Sequence, residues 1–118
     1  MSDKIKTGRT GEDIACNYLE KHGYKIIDRN WRFASKELDI VATKNNILIF
    51  VEVKTRNYSS SIEDCISDKK NNHLINGANH YINQKNIESE VRFDVILVIL
   101  NNNKAEIRHY KEAITPNF

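Results

Sequence analysis

Two carboxylates and a lysine, Asp39, Glu52 and Lys54, are the residues of this 118-residue chain whose types and spacing most directly suggest chemistry. They lie in two segments of alternating residues separated by Asn45-Asn46, a pair that favours a tight turn. A two-residue turn there would place Asp39 directly opposite Glu52, and Glu37 opposite Lys54. Because side chains alternate along a strand, all four would then point to one face of a β-hairpin.

The opposed carboxylates give this hairpin face a chemical requirement. Asp39 and Glu52 repel one another across the sheet unless a cation compensates them or they share a proton. A divalent cation meets that requirement, and carboxylate oxygens suit Mg²⁺ or Mn²⁺ better than they suit a structural Zn²⁺. The alternative is a solvated strand face on which Lys54 pairs with Glu37 or Glu52. The residues by themselves leave both interpretations open.

Other sequence patterns that could carry chemistry are weak. Cys16 and Cys65 stand far apart, without a CxxC pair or a histidine at zinc spacing, so neither a zinc knuckle nor a redox dithiol is predicted. The histidines form no HExxH pattern, and the glycine-containing segment Gly8–Glu12 lacks the GK[ST] of a phosphate loop. The hairpin carboxylates therefore form the main candidate site.

Seven predicted elements must position these residues, because helical and strand-like periodicities alternate along the chain. They are a helix over Thr10–His22 ended by Gly23, strands over Tyr24–Asp28, Glu37–Thr43 and Ile47–Thr55, a helix over Asp68–Gln84, and strands over Arg92–Leu100 and Lys104–Tyr110. The order α-β-β-β-α-β-β predicts an α/β fold with a mixed central β-sheet flanked by helices. The loop at Ser59–Ser61 is too short for a domain linker, so residues 1–118 are predicted to form a single domain.

The hairpin face opposite the carboxylates is predicted to form core. Its residues are apolar and should pack under the helices: Leu38, Ile40, Ile47, Ile49, Val51 and Val53. The carboxylate face begins with Leu48 and Phe50 and becomes polar toward one end. The strongly apolar segment Arg92–Leu100 is predicted to be a strand buried on both faces of the sheet.

Five blocks of the sequence, GRTGEDIACNYL, IIDRNWR, ELDIVA, FVEVKTR and RFDVILV, resemble in order the conserved blocks of the YraN (UPF0102) family of predicted endonucleases. Asp39, the run Glu52-Val53-Lys54 and the upstream Glu12 resemble the PD-(D/E)XK nuclease signature, with a spacing similar to that of archaeal Holliday-junction resolvases. The chain departs from the family pattern at Lys36, where a glycine is usual, and in the loop 57–68, which lacks the usual glycine and proline.

The resemblance implies a restriction-endonuclease-like three-layer fold and metal-dependent hydrolysis of phosphodiester bonds in nucleic acid, chiefly DNA and including branched or damaged DNA. Asp39 and Glu52 would hold Mg²⁺ or Mn²⁺ together with the main-chain carbonyl of Val53. Lys54 would orient or activate the attacking water and stabilise the charge that develops on the phosphate.

The resemblance also implies that Glu12 reaches the metal from the first helix and that Glu37 supports the metal-binding carboxylates. An alternative for Glu12 is a first-turn acid favoured by the helix dipole, a role for which Asp13 is equally placed. Trp31 could stack on an unpaired base or plug the core. The candidates for phosphate contacts are the basic residues Arg9, Arg32, Arg56, Lys69, Lys70 and Arg92.

The charge distribution agrees with an anionic substrate more clearly than the total charge does. The net charge of +2 is too small to indicate a partner. Divided along the chain, eight basic and five acidic residues give +3 for positions 1–36, three and six give −3 for 37–68, and seven and five give +2 for 69–118. An acidic centre between basic flanks suits a metal site that meets a phosphate backbone.

Two further expectations concern the context of the protein and its functional class. The longest apolar runs are too short to span a bilayer and the N-terminus has no apolar stretch, so a cytoplasmic protein without a membrane partner is predicted. Cutting both strands of a symmetric junction needs two sites, which favours a homodimer. The alternative to a nuclease is a non-catalytic nucleic-acid-binding or assembly module on the same fold.

Overall fold

A computed structural model describes residues 3–57, 68–102 and 104–114, with side chains described for 10–57, 73–102 and 104–114. The elements are α1 (Asp3–Lys21), β1 (Lys25–Phe33), β2 (Lys36–Lys44), β3 (Ile47–Arg56), α2 (Asp68–Lys85), β4 (Glu90–Asn101) and β5 (Lys104–Tyr110). The predicted order is confirmed. The bounds differ most in α1, which begins before the predicted Thr10, and in β1, which continues past the predicted Asp28. The serine loop lies outside the described residues.

One five-stranded mixed sheet organises the chain, with its strands in the order β1-β2-β3-β4-β5. Strands β3 and β4 are parallel, whereas the other three neighbouring pairs are antiparallel. Parallel neighbours need a crossover connection, and α2 lies in the segment between them. The predicted α/β fold is therefore confirmed.

The two helices cover opposite faces of the sheet and so form the outer layers of a three-layer arrangement. On one face, Ala15 and Leu19 of α1 pack in a cluster that contains Ile40, Ile49 and Ile96 of the sheet. On the other face, α2 contributes to a second cluster whose buried members are Leu38, Val41, Leu48, Phe50, Leu74, Ala78, Tyr81, Phe93, Val95 and Ile114. Each strand face is thus apolar over part of its length, and the segment Phe93–Ile99 of β4 is buried throughout, as predicted.

Both helices end at residues with left-handed backbone conformation. Gly23 has φ of 86°, its N–H lies 3.2 Å from the carbonyl of Glu20, and the Tyr24 N–H lies 3.0 Å from the carbonyl of Leu19. This pattern satisfies the last carbonyls of α1, and it confirms the stop predicted at Gly23. Asn86, with φ of 54°, occupies the equivalent position after α2.

The hairpin of β2 and β3 has the predicted register from the turn as far as Ile40 and Val51. The predicted pairs of Asp39 with Glu52 and of Glu37 with Lys54 lie beyond this ladder. Asn45 and Asn46 have φ of 53° and 65°, the conformation of a two-residue turn that matches strand twist. Lys44 consequently pairs with Ile47, and regular pairing continues to the pair of Ile40 and Val51.

The prediction that Leu38 shares a face with Ile40 is wrong. Ile40 packs on the α1 side, whereas Leu38 belongs to the cluster on the α2 side. The residue between them, Asp39, lies beside a matching irregularity in β1, where Asn30 has φ of 51°. The regular alternation of side chains between the two faces is interrupted at this point in both strands. Residues from both faces of the hairpin therefore belong to the hydrophobic core. Nothing in the described helices is long and apolar enough to cross a membrane.

Candidate active site

At Asp39 the main-chain pairing between β2 and β3 gives way to a hydrogen bond with a side chain. Regular pairing of β2 with β3 reaches Ile40 and Val51, one position short of Asp39 and Glu52. Beyond that point the Val53 N–H donates a hydrogen bond of 2.9 Å to Oδ2 of Asp39. The Asp39 carboxylate is therefore held against β3, next to the neighbouring Glu52.

Glu52 and Lys54 form an ion pair that is shielded from solvent. Lys54 Nζ lies 3.0 Å from Glu52 Oε1, and the two side chains are only 8% and 15% exposed. Lysine is rarely buried without a partner, because removing an ammonium from water is costly. The pairing expected for a simple strand face is therefore present, but this ion pair is largely shielded from solvent.

The pKa of Asp39 is perturbed most by its own burial and by the neighbouring carboxylates. Burial raises its pKa from 3.8 to about 8, and the negative charge of Glu52 adds to the increase, while the hydrogen bond from Val53 opposes it. Glu12 and Glu37 contribute smaller repulsions. Burial and the charge of Glu52 thus both favour the protonated form of Asp39.

Glu12 reaches the same region because α1 approaches β3 very closely. A Cβ added at Gly11 would lie 3.1 Å from Cβ and 3.2 Å from Cγ2 of Thr55, and still closer to its hydroxyl. Glycine is the residue that permits this approach, and the next residue is Glu12. Burial raises the pKa of Glu12, an effect that a hydrogen bond to Asn30 and the charge of Arg29 oppose.

The structure separates Glu12 from Asp13 by their exposure and their contacts. The Glu12 side chain is 19% exposed, and its Oε2 lies 4.0 Å from Arg29 Nη2. Asp13 is 63% exposed and accepts a hydrogen bond of 2.7 Å from the same guanidinium. Glu12 is thus the acid of the first helix that turns toward the hairpin.

A pocket of about 520 Å³ brings most of the predicted site residues together. Residues from α1, the β1–β2 turn, β2, β3 and α2 form its walls: Glu12, Ser35, Glu37, Asp39, Glu52, Val53, Lys54, Thr55, Arg56, His73 and Leu74. All five predicted catalytic side chains are among them, together with the predicted main-chain ligand Val53. Of the basic candidates whose side chains are described, Arg56 lines the pocket.

The pocket carboxylates are not grouped for a metal site built from protein side chains alone, but they suit an ion that keeps several waters. In the described part of the chain, no group of three or more His, Cys, Asp and Glu side chains is placed to hold an ion. However, Mg²⁺ usually takes one or two protein carboxylates and completes its coordination with waters and substrate phosphates. Asp39, Glu52 and the carbonyl of Val53 fit that donor set, and the raised pKa of Asp39 marks a place where a cation would be stabilised.

Other predicted residues lie elsewhere. Arg32 is exposed at the rim, where its Nη2 is 3.6 Å from Oε2 of Glu37. Arg92 does not line the pocket: its guanidinium makes two hydrogen bonds of 2.8 Å to Asp94 and one of 2.9 Å to the Tyr24 hydroxyl. Trp31 packs at the edge of the α2-side cluster. The side chains of Arg9, Lys69 and Lys70, and all of Cys65, lie outside the described residues.

Sequence reasoning missed four residues that line the pocket, of which Ser35, Thr55 and His73 are polar and Leu74 is apolar. His73 has no second histidine at ligand spacing, so no motif singles it out. Thr55 follows Lys54 directly, but only the approach of Gly11 reveals its contact with α1. These positions depend on how the elements pack rather than on local pattern.

Known proteins resemble this chain over almost its whole length. The family model described as "Uncharacterised protein family UPF0102" matches residues 11–98, a range that contains every residue lining the pocket. A UPF0102 protein of Bacteroides fragilis is 43% identical over 118 residues, which cover 98% of each chain. UPF0102 proteins of Flavobacterium johnsoniae and Flavobacterium psychrophilum are 41% and 36% identical, each over 96% of this chain and 97% of the relative.

Proposed function

The chain belongs to the UPF0102 family, and we propose that it is a metal-dependent nuclease that hydrolyses phosphodiester bonds of nucleic acid, chiefly DNA. The observation that carries the proposal is the convergence of Asp39, Glu52 and Lys54 in one pocket, with Lys54 buried against Glu52. A carboxylate pair beside a buried ammonium combines a cation-binding group with a positive charge that can face a phosphate.

Asp39, Glu52 and the main-chain carbonyl of Val53 would hold the metal ion. When bound, Mg²⁺ or Mn²⁺ supplies Lewis-acid activation of the phosphate and of the attacking water. The raised pKa of Asp39 supports this assignment, because a cation beside the carboxyl would offset both the burial and the repulsion from Glu52 that raise it.

The side chains of the pocket have separate tasks in this proposal. Lys54 places its ammonium where negative charge grows on the phosphate, and it orients the water. Arg56, on the same strand, contacts a neighbouring phosphate. Glu12 provides a third carboxylate from α1, and Glu37 holds Arg32 at the rim.

The substrate class follows from size as well as from chemistry. The described elements form one sheet and two helices, so substrate choice depends on a few loops, a partner or a second copy of the chain. Branched or damaged DNA is the proposed target because the spacing of the carboxylates resembles that of junction resolvases. A homodimer follows from that target, and a monomer in sedimentation at micromolar concentration would contradict the junction-cleaving version of the proposal.

A cleavage panel tests the proposal directly. Single-stranded, duplex, flap and four-way-junction DNA and RNA are incubated in Mg²⁺ or Mn²⁺ with wild type, Glu52→Gln and Lys54→Met. We expect cleavage of at least one substrate and a loss of about 10²–10³-fold in rate for either variant. The matched controls are Glu90→Gln and Lys104→Ala, which change exposed residues away from the pocket.

Two results of this panel would contradict the nuclease. Activity that survives both pocket substitutions would mean that the reaction takes place elsewhere. Tight binding of branched DNA in EDTA, without cleavage of any substrate in either metal, would favour the non-catalytic binding module.

A further inference from the structure

Aromatic rings line the outer part of strand β1 and helix α2 in an arrangement that the proposed chemistry does not use. The Phe33 ring stacks on the His80 ring, with centroids 4.4 Å apart and an interplanar angle of 27°. The rings of Phe33 and Trp31 are nearly parallel, at 10°, with centroids 6.3 Å apart. Phe33 is 45% exposed, and His80 is exposed as well.

The array formed by the rings of Trp31, Phe33 and His80 packs on the hydrophobic core through Trp31. Trp31 meets the Tyr81 ring edge to face at 5.3 Å and 83°, and Tyr81 meets Phe50 in the same way at 5.7 Å and 86°. The Tyr81 hydroxyl donates a hydrogen bond of 2.8 Å to Asp28 of β1, which ties α2 to this strand. The exposed rings therefore project from a fixed support.

The array adjoins the pocket through the β1–β2 turn. Phe33 pairs with Lys36, and the next pair along the ladder is Arg32 with Glu37. Glu37 and Ser35 both line the pocket. Since one strand residue spans about 3.4 Å, Phe33 lies one strand step from the backbone that carries Glu37.

We propose that Phe33 and His80 form a stacking platform for an unpaired base of the DNA strand that enters the pocket. The inference rests on the proposed function and adds a preference for a single-stranded or splayed segment beside the scissile phosphate. A base has an apolar face and a polar edge, so it stacks on aromatic rings whatever its identity.

A second copy of the chain fits this surface less well. Among the described residues, the exposed large hydrophobic side chains are Ile27 and Phe33, six positions apart on β1. Stable protein interfaces bury roughly 800 Å² on each partner, which two separated side chains do not provide. One planar ring flanked by another suits a flat ligand better than a broad surface.

The experiment measures binding in EDTA, where no cleavage occurs, to oligothymidylate and to a blunt duplex of equal length. Trp31 is the sole tryptophan of the chain and lies beside Phe33, so its fluorescence reports a base that arrives there. For Phe33→Ala we expect roughly five- to a hundredfold weaker binding of the single strand, lost fluorescence quenching and an unchanged salt slope. Duplex affinity should not change.

Two variants and a control separate stacking from folding. Phe33→Tyr keeps the ring and should restore binding, whereas Phe33→Leu keeps an apolar side chain without the ring and should not. Ile27→Ala is the matched control, because Ile27 is 40% exposed on the same strand, and it should bind like wild type. Thermal unfolding of each variant verifies that it folds.

The outcomes distinguish the platform from the nuclease. Equal single-strand affinity for Phe33→Ala and wild type would overturn the platform, and Lys54-dependent cleavage in the same preparation would leave the nuclease standing. Phe33-dependent binding without cleavage in either metal would support the platform and contradict the nuclease. Sedimentation that shows a dimer dependent on Phe33 would also overturn the platform in favour of a self-association surface.

Discussion

Two acids, the half-buried Asp39 in the pocket and the fully buried Asp94 under α1, have opposite electrostatic surroundings. Asp94 is fully buried and accepts two hydrogen bonds of 2.8 Å from Arg92, while His109 Nε2 lies 2.7 Å from its Oδ2. The backbone N–H of Glu112 provides a further contact of 3.1 Å. Asp39 instead has one main-chain donor, Val53, and carboxylates around it.

The pKa values of the two acids show the consequence. Burial alone would raise the pKa of Asp94, but the hydrogen bonds from His109, Arg92 and Glu112 outweigh it and hold that pKa below its ordinary value. Burial and the charge of Glu52 raise the pKa of Asp39 to about 8. A buried acid that is paired with its cation is a part of the scaffold, whereas a half-buried acid among other acids is suited to binding a cation from outside.

The largest effect on stability that we expect comes from removing Asp94. Asp94→Ala leaves Arg92 and His109 without their partner, so the free energy of unfolding should fall by about 3–5 kcal/mol. Glu90→Ala, an exposed acid on the same strand, should change it by less than about 0.5 kcal/mol. Urea unfolding of both variants measures the difference, and equal stability would contradict a structural role for the Asp94 network.

Asp94 also determines how the stability of the folded protein changes with pH in the acid range. Because the pKa of Asp94 is lower in the folded protein than in the unfolded chain, its stabilisation is present above the unfolded value and is lost as the pH falls through the folded value. Asp94→Ala should therefore unfold with a shallower dependence on pH in the acid range than wild type.

Asp39 should behave in the opposite way in chelated protein. Its folded pKa of about 8 exceeds the ordinary 3.8, so between these values the unfolded chain releases a proton that the folded protein retains. The stability of wild type should then fall as the pH rises through this window, by up to about 1.4 kcal/mol per pH unit. Asp39→Asn removes this loss and should be the more stable protein at pH 8. Parallel pH profiles of the two proteins in EDTA would contradict the assigned environment.

Adding a cation should reverse that ranking. In Mg²⁺ or Mn²⁺ at one hundred times the dissociation constant, wild type should gain about 2.7 kcal/mol in free energy of unfolding. Asp39→Asn and Glu52→Gln should gain much less, while Glu90→Gln should gain as much as wild type. A metal-dependent stabilisation that is equal in all four proteins would place the cation outside the pocket.

The sequence predicted those parts of the site that depend on local pattern. The Asn45-Asn46 turn determines the register near the hairpin end, and with it the proximity of Asp39 and Glu52. The alternation rule failed at Leu38, because it assumes an uninterrupted ladder. The Asp39 side chain bonds the main chain of Val53, and Asn30 adopts a left-handed conformation opposite it. Asparagine tolerates that conformation, but the chain is rich in asparagine and the residue type does not mark the position.

Contacts between distant segments account for what the sequence could not specify. Arg92 is a candidate for phosphate binding because its charge is visible in the sequence, and Asp94, two positions along the same strand, is visible there as a partner. The contact with Tyr24, 68 positions away, becomes apparent only in the packed sheet. Likewise, His73 lines the pocket through the placement of α2 rather than through any motif. A charged residue in the sequence therefore shows only what it could bind. Its neighbours in the folded protein determine whether it stabilises the fold or lines the pocket.

The smallest predicted effect concerns the helix contact that brings a third carboxylate to Asp39. Gly11→Ala places a methyl group within 3.2 Å of both Thr55 Cβ and Cγ2, so α1 must move away from β3, at a cost of about 1–3 kcal/mol. The higher helix propensity of alanine returns up to about 1 kcal/mol. Gly77→Ala is the matched control, because its methyl group would meet the flexible end of Leu38 at 3.3 Å. If both variants are equally stable in urea, the close approach of α1 does not position Glu12.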